Sequence, residues 1–193
     1  MEKLSEGVGE LAEFVCLDAP SLSKGDFGWW HAVTEANRAT APMAGGAVRY
    51  VGWEAAYEWI VNQFKMAGPF DGVFGFSQGA AFASALVGLR SFDASGTEGI
   101  SLGFGFVVLA GGFPVKDPVL SRAYGYVENY DLPSLHMIGV SDLIIPPSIS
   151  RTLASRFRNP VIVEHRNGHI IPGDTDARQM VANFLEARLR ELR

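Results

Sequence analysis

A chain of 193 residues that is 48% hydrophobic and 19% charged is long enough to bury the core of one domain. Its formal net charge of -5 argues against a nucleic-acid partner, which would call for clustered Lys and Arg. The single cysteine, Cys16, excludes an internal disulfide and a cysteine-based metal cage. No His/Asp/Glu group has metal-ligand spacing, so no metal or cofactor is expected.

In chain order, Met1 to Leu11 carries Leu4, Val8 and Leu11 at helical spacing, weakened by Gly7 and Gly9. No charged-then-apolar leader precedes it, so no secretory signal is expected and a cytoplasmic location follows. Glu13 to Leu17 reads as a strand with Cys16 in the core, stopped by Asp18-Ala19-Pro20. Ser21 to Val48 mixes polarity, glycines, Pro42 and the adjacent Trp29 and Trp30, which suggests a long loop or excursion. Trp53 to Met66 is an amphipathic helix with Trp53, Ala56, Tyr57, Ile60 and Phe64 on one face, ended by Gly68-Pro69.

A short apolar run then ends at Phe74 and is followed by Gly75-Phe76-Ser77-Gln78-Gly79, after which an alanine-rich helix runs to about Leu89. Strand, sharp turn and helix with serine at the apex is the nucleophile-elbow pattern. Small residues two before and two after the serine let strand and helix approach closely.

Ser91 to Glu98 is polar and loop-like. The uncharged stretch from Gly99 to Val115 falls short of the ~18 apolar residues of a membrane helix and is broken by glycines, so no stable membrane insertion is expected. Within it, Gly105 to Ala110 reads as a buried parallel strand. Lys116 to Asp131 is irregular. Leu135 to Val140 is a second buried strand, Ser148 to Phe157 a helix and Val161 to Glu164 the last strand. Asp174 is placed to cap a C-terminal helix with Val181, Phe184, Leu185, Leu189 and Leu192 inward. Arg188, Arg190 and Arg193 near its end suit the helix dipole. Strands alternating with helices predict an α/β fold around a mostly parallel sheet.

In such sheets, active residues gather at the carboxyl ends of strands. Ser77 is there, and so are Asp142, after Leu135–Val140, and His169, in the loop after Val161–Glu164. His169 would take the serine proton, Asp142 would orient the imidazole, and the backbone N–H of Gln78 would be an oxyanion donor. Asp117 and Asp131 compete with Asp142. His165 competes with His169, whereas His136 within a strand reads as a core histidine. Trp29, Trp30, Phe113, Leu143, Ile144 and Ile170 are candidates for lining an apolar acyl pocket, although ordinary packing explains any one of them equally well.

The block Gly68 to Ala81 resembles the centre of the FSH family of serine hydrolases, small α/β-hydrolases. Asp18-Ala19-Pro20, Gly28-Trp29-Trp30, Ser141-Asp142 with Ile145-Pro146, and Gly168-His169-Ile170-Ile171-Pro172 match as well. The resemblance implies a single serine-hydrolase domain over 1–193, an esterase or thioesterase using Ser77, Asp142 and His169 on small-molecule acyl esters or thioesters with an apolar chain, such as long-chain fatty-acyl esters. It also implies an opening strand and turn, the source of a second oxyanion N–H, that this chain lacks. The expectation is a shortened N-terminus, with a gap between the Glu13–Leu17 strand and the strand ending at Phe74. The rival reading is a binding module on the same fold, catalytically impaired for that reason.

Overall fold

In a computed structural model, which describes residues 4, 8–23, 26–34, 48–93, 102–124 and 129–191, two small ribbons precede a four-stranded parallel sheet. The ribbons pair β1 (Ser21–Ser23) with β2 (Asp26–Phe27) and β3 (His31–Thr34) with β4 (Val48–Val51), both antiparallel. Helix α1 (Trp53–Ala67) leads to β5 (Gly72–Phe76), α2 (Gln78–Asp93), β6 (Phe106–Ala110) and a 3₁₀ turn at Leu120–Tyr124. Then come β7 (Ser134–Gly139), α3 (Pro147–Ala154), β8 (Val161–His165) and α4 (Thr175–Glu191). The parallel strands lie in the order β5-β6-β7-β8.

The continuous apolar run of β6 is buried because both faces of the sheet are covered. Val107 and Leu109 point into a cluster with Ala56 and Ile60 of α1, Ala80, Ala81, Phe82 and Leu86 of α2, and Leu153 of α3. Val108 and Ala110 alternate to the other side, against Val181, Phe184 and Leu185 of α4 and the helical Leu4 and Val8. Burying each such Leu, Val or Phe side chain contributes roughly 1.5–3 kcal/mol. The Asp174 carboxylate accepts the Ala177 N–H at 3.0 Å, capping α4 where the sequence places its start.

Three readings change. Glu13 to Leu17 forms no strand, and both Val15 and Cys16 are exposed. Leu11, Ala12 and Phe14 pack on the α4-side cluster and Leu17 on the other, so the stretch carries the chain from one face of the sheet to the other. Cys16 is therefore not core, and among the described residues no strand pairs with the outer edge of β5. The Ser21–Val48 excursion contains ribbon strands, its residues 24–25 and 35–47 lying outside the described residues. Finally, α3 stops at Ala154, short of Phe157.

Candidate active site

Each candidate side chain sits just past the carboxyl end of a parallel strand. At the end of β5 the chain turns so tightly that Ser77 has φ +54°, in the left-handed region that costs a non-glycine residue about 1–3 kcal/mol. The turn is held by the Ser77 N–H donating to the Ala110 carbonyl (2.9 Å) and by the Ala81 N–H donating to the Ser77 carbonyl (3.1 Å). Gly75 is required by close approach, since a Cβ there would stand 2.5 Å from the Gly79 carbonyl oxygen and 2.6 Å from Ala80 Cα.

Beyond β7, the Asp142 N–H returns to the Gly139 carbonyl (3.2 Å) and tightens the loop. Its buried carboxylate accepts the N–H groups of Ile144 (2.9 Å) and Ile145 (2.8 Å) on Oδ1, which leaves Oδ2 aimed at His169. Beyond β8, the Ser141 hydroxyl donates to the Arg166 carbonyl (3.0 Å) and ties the two loops together. Residues 92 and 27 positions apart thus meet. His169 Nδ1 lies 2.6 Å from Asp142 Oδ2, and Nε2 lies 2.8 Å from Ser77 Oγ.

With the proton on Nδ1, the imidazole donates to Asp142 and accepts the Ser77 hydroxyl. Burial alone would raise the Asp142 carboxyl. The hydrogen bond from His169 and the two backbone N–H groups outweigh it, so the group titrates below the ordinary carboxylate value and stays ionised at neutral pH. The Phe76 ring lies against the imidazole at 4.8 Å.

The competing residues are occupied elsewhere. Asp117 is buried and accepts the N–H groups of Tyr50 (2.8 Å), Val119 (2.8 Å) and Leu120 (3.0 Å), joining β4 to the 3₁₀ turn. Asp131 is exposed and faces Arg158 at 3.8 Å. His136 is buried in β7 beside Ser134 and edge-on to Phe157, and burial pushes its pKa down to about 4. His165 is buried at the end of β8, and burial lowers its pKa against the pull of Asp174 and Asp142.

The proposed pocket residues divide. Trp30 is core, stacked on Tyr50 at 4.4 Å, so it does not line an open pocket. Trp29, half-buried, stacks on Phe82 at 5.1 Å. Phe113 packs partly against the α2-side cluster. Leu143 (94% exposed), Ile144 (68%) and Ile170 (49%) flank Asp142 and His169 in sequence and lie in solvent, so they build no closed wall.

Two contributors escaped the sequence reading. Gly111, at the end of β6, has φ +55°, and a Cβ there would stand 3.0 Å from His169 Cε1. The Gly111-Gly112 pair closing a buried strand was the available signal. The other is the Gln78 side chain, which bonds to Trp29 and Trp30; only the tertiary fold brings these together. Among the described residues, no group of three His, Cys, Asp or Glu is placed to hold a metal, and no helix is long and apolar enough to cross a membrane.

The chain is 32% identical over 190 residues to Esterase CG5412 of Drosophila melanogaster, covering 93% of this chain and 64% of that protein. It is 34% identical over 169 residues to Esterase OVCA2 of Xenopus tropicalis, covering 88% and 70%. The chain therefore spans about two thirds of the length of these relatives. Among solved structures, Zea mays acyl-protein thioesterase 2 superposes with TM-score 0.61 at 17% identity, over 90% of this chain and 80% of that one. The monoacylglycerol lipase of Paleococcus ferrophilus gives 0.54 at 16%, over 70% and 75%. At these identities the likeness is one of fold, and the fold is that of the α/β-hydrolases. The family model described as serine hydrolase (FSH1) matches residues 3–181, and the chain belongs to that family.

Proposed function

We propose that this protein hydrolyses carboxylic ester or thioester bonds of apolar acyl substrates through an acyl-serine intermediate. The observation that carries the reading is the hydrogen-bonded chain Ser77–His169–Asp142, at 2.8 and 2.6 Å. As Ser77 Oγ attacks the carbonyl carbon, its proton passes to His169 Nε2, and Asp142 stabilises the imidazolium. The carbonyl oxygen becomes an oxyanion held by the Gln78 N–H, one of the helix-initial donors with no acceptor within α2. Collapse breaks the bond to the alcohol or thiol, which leaves with the proton from His169. Water then gives a proton to His169 as its oxygen attacks the acyl carbon. Ser77 regains a proton when the carboxylic acid departs.

Ester and thioester pass through the same acyl-serine, so the carbonyl chemistry is common to both. The exposed apolar side chains of Leu143, Ile144 and Ile170, next to Asp142 and His169 in sequence, support an apolar acyl or alcohol group over a charged one. The test is hydrolysis of p-nitrophenyl esters from acetyl to decanoyl, with a matching acyl thioester series. Turnover that falls at least ~10³-fold in Ser77→Ala supports the reading. Wild-type protein inert on both series, yet still binding the esters, would favour the impaired binding module.

A further inference from the structure

Gln78 follows the proposed nucleophile, and its side chain has a task separate from its backbone N–H. The amide oxygen accepts the Trp29 N–H at 2.7 Å, and the amide nitrogen donates to the Trp30 carbonyl at 3.0 Å. One side chain thus closes on both ends of a two-residue segment 48–49 positions away, as a neighbouring strand would. Between these bonds the two tryptophans part. Trp30 goes into the core on Tyr50. Trp29 lies along the first turn of α2, stacked on Phe82 and tilted at 6.0 Å from Trp59. Its Nε1 comes within 3.2 Å of where a Cβ on Gly79 would stand.

We propose that the Gln78 side chain is a positioning residue, whose amide holds Trp29 as a fixed apolar wall of the acyl-binding site beside Ser77. The inference rests on the reading of Ser77 as nucleophile and adds a specificity determinant to it. An ester carbonyl bonded to the Gln78 N–H places its acyl and alcohol arms within a few ångströms of the α2 first turn. Trp29 is a large, half-buried apolar side chain there, its Nε1 beside Gly79, two residues from Ser77. Only an amide of this length supplies a donor and an acceptor together: Glu lacks the donor and Asn is one methylene short. A large rigid ring contributes binding area only if its backbone is held, because ordering it on binding would otherwise cost affinity.

The test combines kinetics on the decanoyl ester with ¹⁹F NMR of protein labelled with 5-fluorotryptophan, the Trp29 resonance being assigned through Trp29→Phe among the four tryptophans. Gln78→Ala is expected to move the Trp29 resonance and to raise KM roughly tenfold, with kcat changed less than about threefold because the backbone oxyanion donor stays. Gln78→Glu, isosteric and keeping the acceptor, should do the same to a smaller degree, and it serves as the variant if Gln78→Ala does not fold. Because Gln78 acts through Trp29, adding Gln78→Ala to Trp29→Ala should raise KM no further than Trp29→Ala alone. An unmoved Trp29 resonance, KM effects that multiply, or a loss confined to kcat would each overturn the proposal. A shifted resonance together with full activity in Ser77→Ala would leave the clamp in place and remove the serine mechanism instead.

Discussion

Substituting Gly111 by Ala tests whether the geometry around His169 sets the activity. Two costs arise at this position. The backbone has φ +55°, where a side chain costs about 1–2 kcal/mol. The new methyl would lie 3.0 Å from His169 Cε1, 3.2 Å from Nδ1 and 3.7 Å from Asp142 Oδ2. Carbon–carbon contacts settle at about 3.5–4.0 Å, so the ring must retreat by roughly half an ångström or more. The imidazole is bonded on both sides, at 2.6 and 2.8 Å, and moving it lengthens at least one of those bonds. Misplacement of this order costs about 10²-fold in kcat. Steady-state hydrolysis of p-nitrophenyl butyrate, read beside a urea melt, separates the two costs. Gly111→Ala should remain folded, with stability lower by about 1–2 kcal/mol, and should lose about 10²-fold in kcat. Unchanged kcat in a folded variant would refute the argument that this position fixes the imidazole.

Asp142→Asn should keep its Oδ1 bonds to the backbone and its fold, yet lose about 10⁴-fold in kcat by favouring the wrong imidazole tautomer; near-native kcat would count against Asp142 as the orienting acid. Gly75→Ala puts a methyl against backbone atoms of Gly79 and Ala80 that cannot give way, so its urea midpoint should fall by the equivalent of about 3 kcal/mol or more. For His136, the folded pKa of about 4 lies below the unfolded value, so between pH 6.5 and 4 the unfolded chain binds the extra proton. Stability should fall by about 3 kcal/mol as pH drops through that window, and His136→Asn, compared by denaturation at each pH, should abolish this component. A variant with the same pH slope as wild type would show that His136 is not its source.

The site was legible in the sequence because its chemistry is written in local constraints. A serine at an elbow needs a small neighbour where strand and helix touch, and Gly75 supplies it, whereas a Cβ on Gly79 would meet only the Trp29 indole. Asp142 follows an apolar run that reads as a buried strand and His169 follows the last strand, and parallel strands put such loops at one edge. What depends on distant partners did not show. Phe14, Val15, Cys16 and Leu17 look like a strand, but a strand exists only where another takes up its backbone groups, and none among the described residues lies alongside. Trp29 and Trp30 are identical letters, and only the Gln78 bonds and the stacking on Tyr50 and Phe82 decide which ring is core. Leu143 and Ile144 read equally well as wall or packing. Asp142 takes up the N–H of Ile144, and the resulting tight loop leaves both side chains in solvent.

A Ser77 nucleophile activated by His169 should react with an electrophile aimed at serine hydrolases. Treating the protein with a fluorophosphonate and mapping the adduct by peptide mass spectrometry tests it most directly. One phosphonyl group is expected, on the peptide carrying Ser77, with labelling abolished in Ser77→Ala and slowed by orders of magnitude in a folded His169→Ala variant. No adduct on the wild-type protein, or an adduct that persists elsewhere in Ser77→Ala, would contradict this role of Ser77.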